Sequence, residues 1–275
     1  MPGGEAERRA VLDEALGLVG RGLPVHTEAV ARLHRAALAL RFAELPVAVR
    51  DLERAHQLAV EVGLAELRAQ VSYQEAGHAT LRGEWELAEK HADEAWTLQR
   101  QTGLWGAQWC RVVQLMTVRW GQGRLDEVLA ELVDATSGAF AGLRPVVALA
   151  LVEAGDEAAA RRLVDASPVV LPVDWSTDFL LSAWGEVAAA LGTPDPATIY
   201  RDLLPQAREL VVAGSANACW GSVHGVLGRL ALRTGDVTAA RAHLDEAVRV
   251  DTALGAAPWE ARARGALDEL DALQT

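Results

Sequence analysis

The stretch Leu227-Gly-Arg-Leu-Ala-Leu-Arg-Thr-Gly-Asp-Val-Thr-Ala-Ala-Arg-Ala-His-Leu-Asp-Glu-Ala247 decides the fold. Gly235 tolerates the left-handed backbone that ends a helix. Asp236 suits the positive end of the helix that follows. Ala240, Leu244 and Ala247 fall at i, i+4 and i+7 and so share one helix face. Small residues there let the second helix approach the first closely. The stretch predicts a helix, a tight turn and a second helix folded back on the first.

The same pattern recurs upstream. Segments 36–63, 76–103 and 228–255 align, with a small turn residue at Ala43, Gly83 or Gly235. Five residues on stands Ala48, Ala88 or Ala240; then Ala55, Ala95 or Ala247; then Gly63, Gly103 or Gly255. Weaker copies turn at Gly123, Gly155 and Gly192, the last opening the longer turn Thr193-Pro-Asp-Pro-Ala197. The spacings between turns are 40, 40, 32, 37 and 43 residues, somewhat longer than the tetratricopeptide period. Each such hairpin buries one seam and needs neighbours to cover the rest. The expected fold is all-α: a tetratricopeptide-like α-solenoid of about six antiparallel helical hairpins in a right-handed superhelix.

Residues 6–19 read as a lone amphipathic helix that caps the array. Residues 165–177 contain Pro168 and Pro172 and no helical period, which marks a break. The expected organisation is N-terminal hairpins over 1–164, a linker over 165–177 and C-terminal repeats over 178–275.

Composition agrees with helices. The chain is 51% hydrophobic, too apolar for disorder, and rich in Ala, Leu, Arg and Glu. Its net charge of −12 and the lack of any long basic block argue against direct nucleic-acid contact. The two cysteines, Cys110 and Cys219, exclude a disulfide framework. No apolar run is long enough to span a bilayer, and the expected location is cytoplasmic.

The stretches Leu204-Pro-Gln-Ala-Arg-Glu-Leu210, Ala218-Cys-Trp-Gly-Ser222, Ala242-His-Leu-Asp-Glu-Ala247 and Gly255-Ala-Ala-Pro-Trp-Glu-Ala-Arg262, with the Leu227-Gly228 helix between them, carry a family resemblance. Over roughly residues 195–270 the chain resembles the C-terminal tetratricopeptide region of large actinobacterial signalling ATPases. These include LuxR-type and antibiotic regulatory protein-like transcriptional regulators. The resemblance implies a sensor role, with NTPase and DNA-binding domains elsewhere in a parent chain. It supplies no catalytic residue.

Motifs for chemistry are missing. There is no phosphate loop with its lysine; Lys90, the sole lysine, sits in a helical stretch. Histidines 26, 34, 56, 78, 91, 224 and 243 form no i, i+4 metal pair. Gly214-Ser215 reads as a helix terminus rather than a nucleophile elbow. Cys219 and His224, five apart on one expected helix, point in different directions. No catalytic residue, metal or cofactor is expected.

In this architecture the first helices of successive hairpins line a concave groove. Tyr73, Gln74, Gln114, Trp120, Glu186, His224, Arg229 and Arg233 are the expected ligand-binding positions there. Arg229 and Arg233 lie four apart and could grip one carboxylate or phosphate together. The nine tryptophans either fill gaps between stacked helices or form an aromatic lining. The expected function is a non-catalytic sensor or scaffold that binds a peptide, a protein or a small effector. The alternative is an enzyme on the same frame, using the Trp-rich groove with Glu186 or His224.

Overall fold

A computed structural model describes residues 4–102, 107–136, 141–166 and 176–274. Among the described residues there are fourteen α-helices and one two-stranded sheet, so the protein is essentially helical.

After α1 (Glu5–Leu16), helices follow in consecutive pairs that pack together. These are α2 (Val25–Arg41) with α3 (Leu45–Val62), and α4 (Ala65–Arg82) with α5 (Trp85–Thr102). Next come α6 (Ala107–Gly121) with the short α7 (Leu129–Thr136), and α8 (Arg144–Glu153) with α9 (Glu157–Asp165). Then α10 (Thr177–Leu191) pairs with α11 (Pro196–Leu203). A hairpin of β1 (Leu210–Ala213) and β2 (Ala218–Ser222) precedes α12 (Val223–Thr234), α13 (Val237–Leu254) and the last helix α14 (Ala257–Ala272).

All six turn positions read from the sequence adopt positive φ: Ala43 at 61°, Gly83 at 75°, Gly123 at 67°, Gly155 at 82°, Gly192 at 74° and Gly235 at 79°. Five are glycines, for which this conformation carries no Cβ penalty. The acid after the turn caps the next helix directly. Asp156 accepts the Ala159 N–H at 2.9 Å and Asp236 accepts the Ala239 N–H at 3.0 Å. The alanine seam is buried as expected, with Ala48, Ala55, Ala240, Leu244 and Ala247 fully enclosed. A Cβ on Gly228 would stand 2.5 Å from Leu244 Cγ, so this glycine sets how closely α12 meets α13.

Each clear hairpin also carries a polar rung, eight residues past its turn. Asp51 in α3 takes Arg32 at 2.8 Å and Arg35 at 2.5 Å from α2. The equivalent His91 in α5 meets Glu75 of α4 at 3.1 Å. The equivalent His243 in α13 meets His224 of α12 at 2.8 Å. One rung joins a carboxylate to two guanidinium groups, one a carboxylate to an imidazole, and one is built from two imidazoles.

Two sequence expectations are corrected here. Gly214-Ser215 is the turn of a β-hairpin, not a helix terminus, and Cys219 lies on β2 while His224 lies on α12. The strands pair antiparallel, Val212 opposite Cys219 and Ala213 opposite Ala218, and every strand residue is buried. Leu210-Val-Val-Ala213 is a short apolar run rich in β-branched residues, which suits a strand covered on both faces.

The expected linker spans the end of α9 and the start of α10; its residues 167–175 lie outside the described ones. Buried residues of α6 and α8 before it, and of α10, the β-hairpin and α12 after it, form one continuous core.

Candidate functional site

The first helices α2, α4, α6, α10 and α12, with α13 and α14, contribute walls around the β-hairpin. α2 and α10 pack on β1, while α4, α6 and α12 pack on β2. The β-hairpin therefore lies on the face where a ligand groove was expected. It is held through both backbone and side-chain atoms. The Cys219 N–H donates to Thr80 Oγ1 at 3.0 Å. Trp220 Nε1 donates to Thr117 Oγ1 at 2.8 Å, and Asn217 Nδ2 approaches Cys110 Sγ at 3.1 Å. From α14, Trp259 Nε1 donates to the Thr80 carbonyl at 3.1 Å. A Cβ on Gly77 would overlap the Ala216 carbonyl oxygen, so only glycine lets the hairpin tip reach α4.

Both ends of the hairpin are held by acids, one half-buried and one buried. On the entry side, Glu209 sits 3.4 Å from Arg41, which also pairs with Asp178. Burial raises the Glu209 carboxyl above its ordinary range, against the pull of Arg41. On the exit side, Asp251 accepts the Ser222 N–H at 2.9 Å, and burial pushes its carboxyl up to about 7.

The eight expected binding residues separate into distinct environments. Tyr73, Gln74, Gln114 and Trp120 are buried. Gln74 donates to the Leu33 carbonyl at 2.9 Å and so ties α4 to α2. Both amide atoms of Gln114 and Trp120 Nε1 are buried without a hydrogen-bond partner, while the Tyr73 hydroxyl lies beside the Cys110 thiol. Trp120 packs edge-on to Trp220 at 4.9 Å and to Trp259 at 5.4 Å. The Arg262 guanidinium lies 4.3 Å over the Trp120 ring. Glu186 pairs with Arg229 and stands 3.6 Å from Arg262. The structure thus joins Trp120, Glu186 and Arg229 through Arg262, a residue the sequence reading did not select.

Arg229 and Arg233 do not share an anion. Arg229 is taken by Glu186, while Arg233 is exposed and its guanidinium covers Gly192 at the end of α10. His224 belongs to a relay in which Tyr200 Oη meets His243 Nε2 at 2.9 Å and His243 Nδ1 meets His224 Nδ1 at 2.8 Å. Burial lowers both imidazoles below their ordinary range, and for His224 the neighbouring His243 adds to it. Burial also pushes the Cys110 thiol up to about 11 and Cys219 up to about 12, which keeps both protonated near neutral pH.

A second polar cluster was not anticipated. A cleft of about 390 Å³ opens between α3 and α5, floored by α4. Glu75 is bracketed there by His56 Nδ1 at 2.8 Å and His91 Nδ1 at 3.1 Å. Burial opposes ionisation of Glu75, but the two imidazole hydrogen bonds outweigh it and hold the carboxyl below its ordinary range. Burial, with Arg82 adding, brings His78 down to about 4. The available signal was the rung register, which pairs position 91 with position 75 as it pairs 51 with 35.

Among the described residues, no group of side chains is arranged to hold a metal ion, and no helix is long and apolar enough to cross a membrane. No protein-family model matches the chain, and no curated protein matches it in sequence. Fold and site together define a helical protein whose first-helix face is filled by its own β-hairpin.

Proposed function

We propose that the chain is a non-catalytic sensor or scaffold module, built as a tetratricopeptide-like α-solenoid of about six hairpins in a right-handed superhelix, that binds an extended peptide segment of a protein partner. The observation that carries this reading is the mode of hairpin contact. Thr80 takes the backbone N–H of Cys219 while Thr117 takes the Trp220 side chain, so a strand is held here by backbone and side chain together. The hairpin then acts as an internal ligand, and the partner competes with it. The unpartnered Gln114 amide supports the same view, since a buried amide left without hydrogen bonds has acceptors and donors to offer an incoming chain. Placement in a cytoplasmic transcriptional regulator, beside NTPase and DNA-binding domains, rests on the family resemblance of residues 195–270.

The test uses a synthetic peptide spanning residues 214–222 and two weakened hairpins, Trp220→Ala and the milder Thr117→Val. Calorimetry should detect the peptide on the weakened proteins and much less on the native one. Failure of the peptide to bind either variant, with circular dichroism still helical, overturns the proposal.

A further inference from the structure

We propose that the cleft between α3 and α5, on the side of α4 away from the β-hairpin, binds a small organic cation: an ammonium or guanidinium group carried on a short apolar body.

The separation of the two faces of α4 is set by helix geometry. Gly77 and Thr80 turn toward the hairpin, while Glu75, His78 and Arg82 line the cleft. The cleft volume of about 390 Å³ falls within the range of small-molecule sites. Leu52, Val49 and Leu87 give it an apolar wall, and Leu87 remains partly exposed with nothing packed over it.

The polar lining favours a donor-rich, positively charged guest. Glu75 accepts from His56 Nδ1 at one oxygen, and His91 Nδ1 stands 3.1 Å from the other. An imidazole that donates through Nδ1 to a carboxylate has Nε2 as its other ring nitrogen, which on His56 is left for a guest. Glu53 places a second carboxylate at the rim. The one guanidinium in the lining, Arg82, already answers Glu84 at 2.7 Å. His78 is almost wholly buried, and its Nε2 has no partner. Of the two acids of the lining, Glu75 is flanked by the two imidazoles, while Glu53 is paired with no cation of the cleft. An overall charge of −12 further draws cations toward the surface. No metal-holding arrangement exists among the described residues, which points to an organic cation rather than a metal ion.

The experiment titrates the full chain with butylammonium, agmatine and, as the opposite charge, butyrate, at about pH 8. Calorimetry and thermal shift should register both cations and not butyrate. Glu75→Gln should weaken binding by on the order of tenfold or more, since a charge-assisted hydrogen bond is lost. Glu53→Gln, at the exposed rim, tests the site should Glu75→Gln fail to fold, and should weaken binding severalfold. Equal binding of butyrate, no binding of either cation up to about 10 mM, or cation binding unchanged in both variants overturns the proposal. This result is independent of peptide binding at the hairpin face.

Discussion

Gly77 on α4 and Ala216 at the hairpin tip stand so close that a methyl group on Gly77 would overlap the Ala216 carbonyl oxygen. The residues are far apart in sequence, and their contact fixes the hairpin against the first helices. Gly77→Ala should therefore destabilise the protein, although alanine is the better helix former. Overpacking against backbone costs about 1–3 kcal/mol or more. Denaturant unfolding with a midpoint equal to or above the native one would show that the hairpin does not rest there.

Ala240 is fully buried in the seam between α12 and α13. Ala240→Leu should lower stability by about 1–3 kcal/mol, because the four-helix neighbourhood has no room for the larger side chain. An unchanged unfolding midpoint would contradict the hairpin register.

The two arginines of α12 should behave differently. Arg229→Ala leaves the buried Glu186 with only Arg262 nearby, and should cost up to about 3 kcal/mol. Arg233 is exposed and should change stability by less than about 0.5 kcal/mol when replaced by Ala. Equal effects in thermal melts would mean that the pairing with Glu186 contributes nothing.

Stability should depend on pH through groups of opposite sign. His78 is lowered to about 4, so between the ordinary imidazole range near 6.5 and 4 the unfolded chain binds the proton and the folded chain does not. Its contribution is present above that window and is lost as pH falls through it. The lowered His224 and His243 act in the same direction. Asp251 is raised to about 7 from 3.8, so its contribution is present at low pH and is lost as pH rises from about 4 to 7. Asp251→Asn should flatten the upper window and raise the melting temperature at about pH 8, where the native carboxylate is ionised at a cost. A lower melting temperature there, with the same pH profile, would contradict the assignment.

Turn positions were legible because a left-handed turn demands glycine or another tolerant residue, and Gly83, Gly155 and Gly235 punctuate the chain accordingly. The seam was legible from the spacing of Ala240, Leu244 and Ala247. The β-hairpin was not, because Leu210-Val-Val-Ala213 is a short apolar run with no period to separate strand from buried helix. The polar stripe of Tyr73, Gln114 and Trp120 could be read from helical spacing. Its occupant could not, since Thr80 meets Cys219 and Thr117 meets Trp220 across long stretches of chain. Likewise His56, Glu75 and His91 come from three helices, and no local motif announces them.

The account rests on the hairpin being the resident occupant of the first-helix face. Hydrogen exchange of the Cys219 and Ser222 amides, bonded to Thr80 and Asp251, measures this directly. In the free protein both should exchange slowly, close to the global unfolding limit. In Thr117→Val saturated with the 214–222 peptide, both should exchange faster while amides of α4 stay protected. Fast exchange in the free native protein, or bound peptide with both amides still protected, would contradict the account.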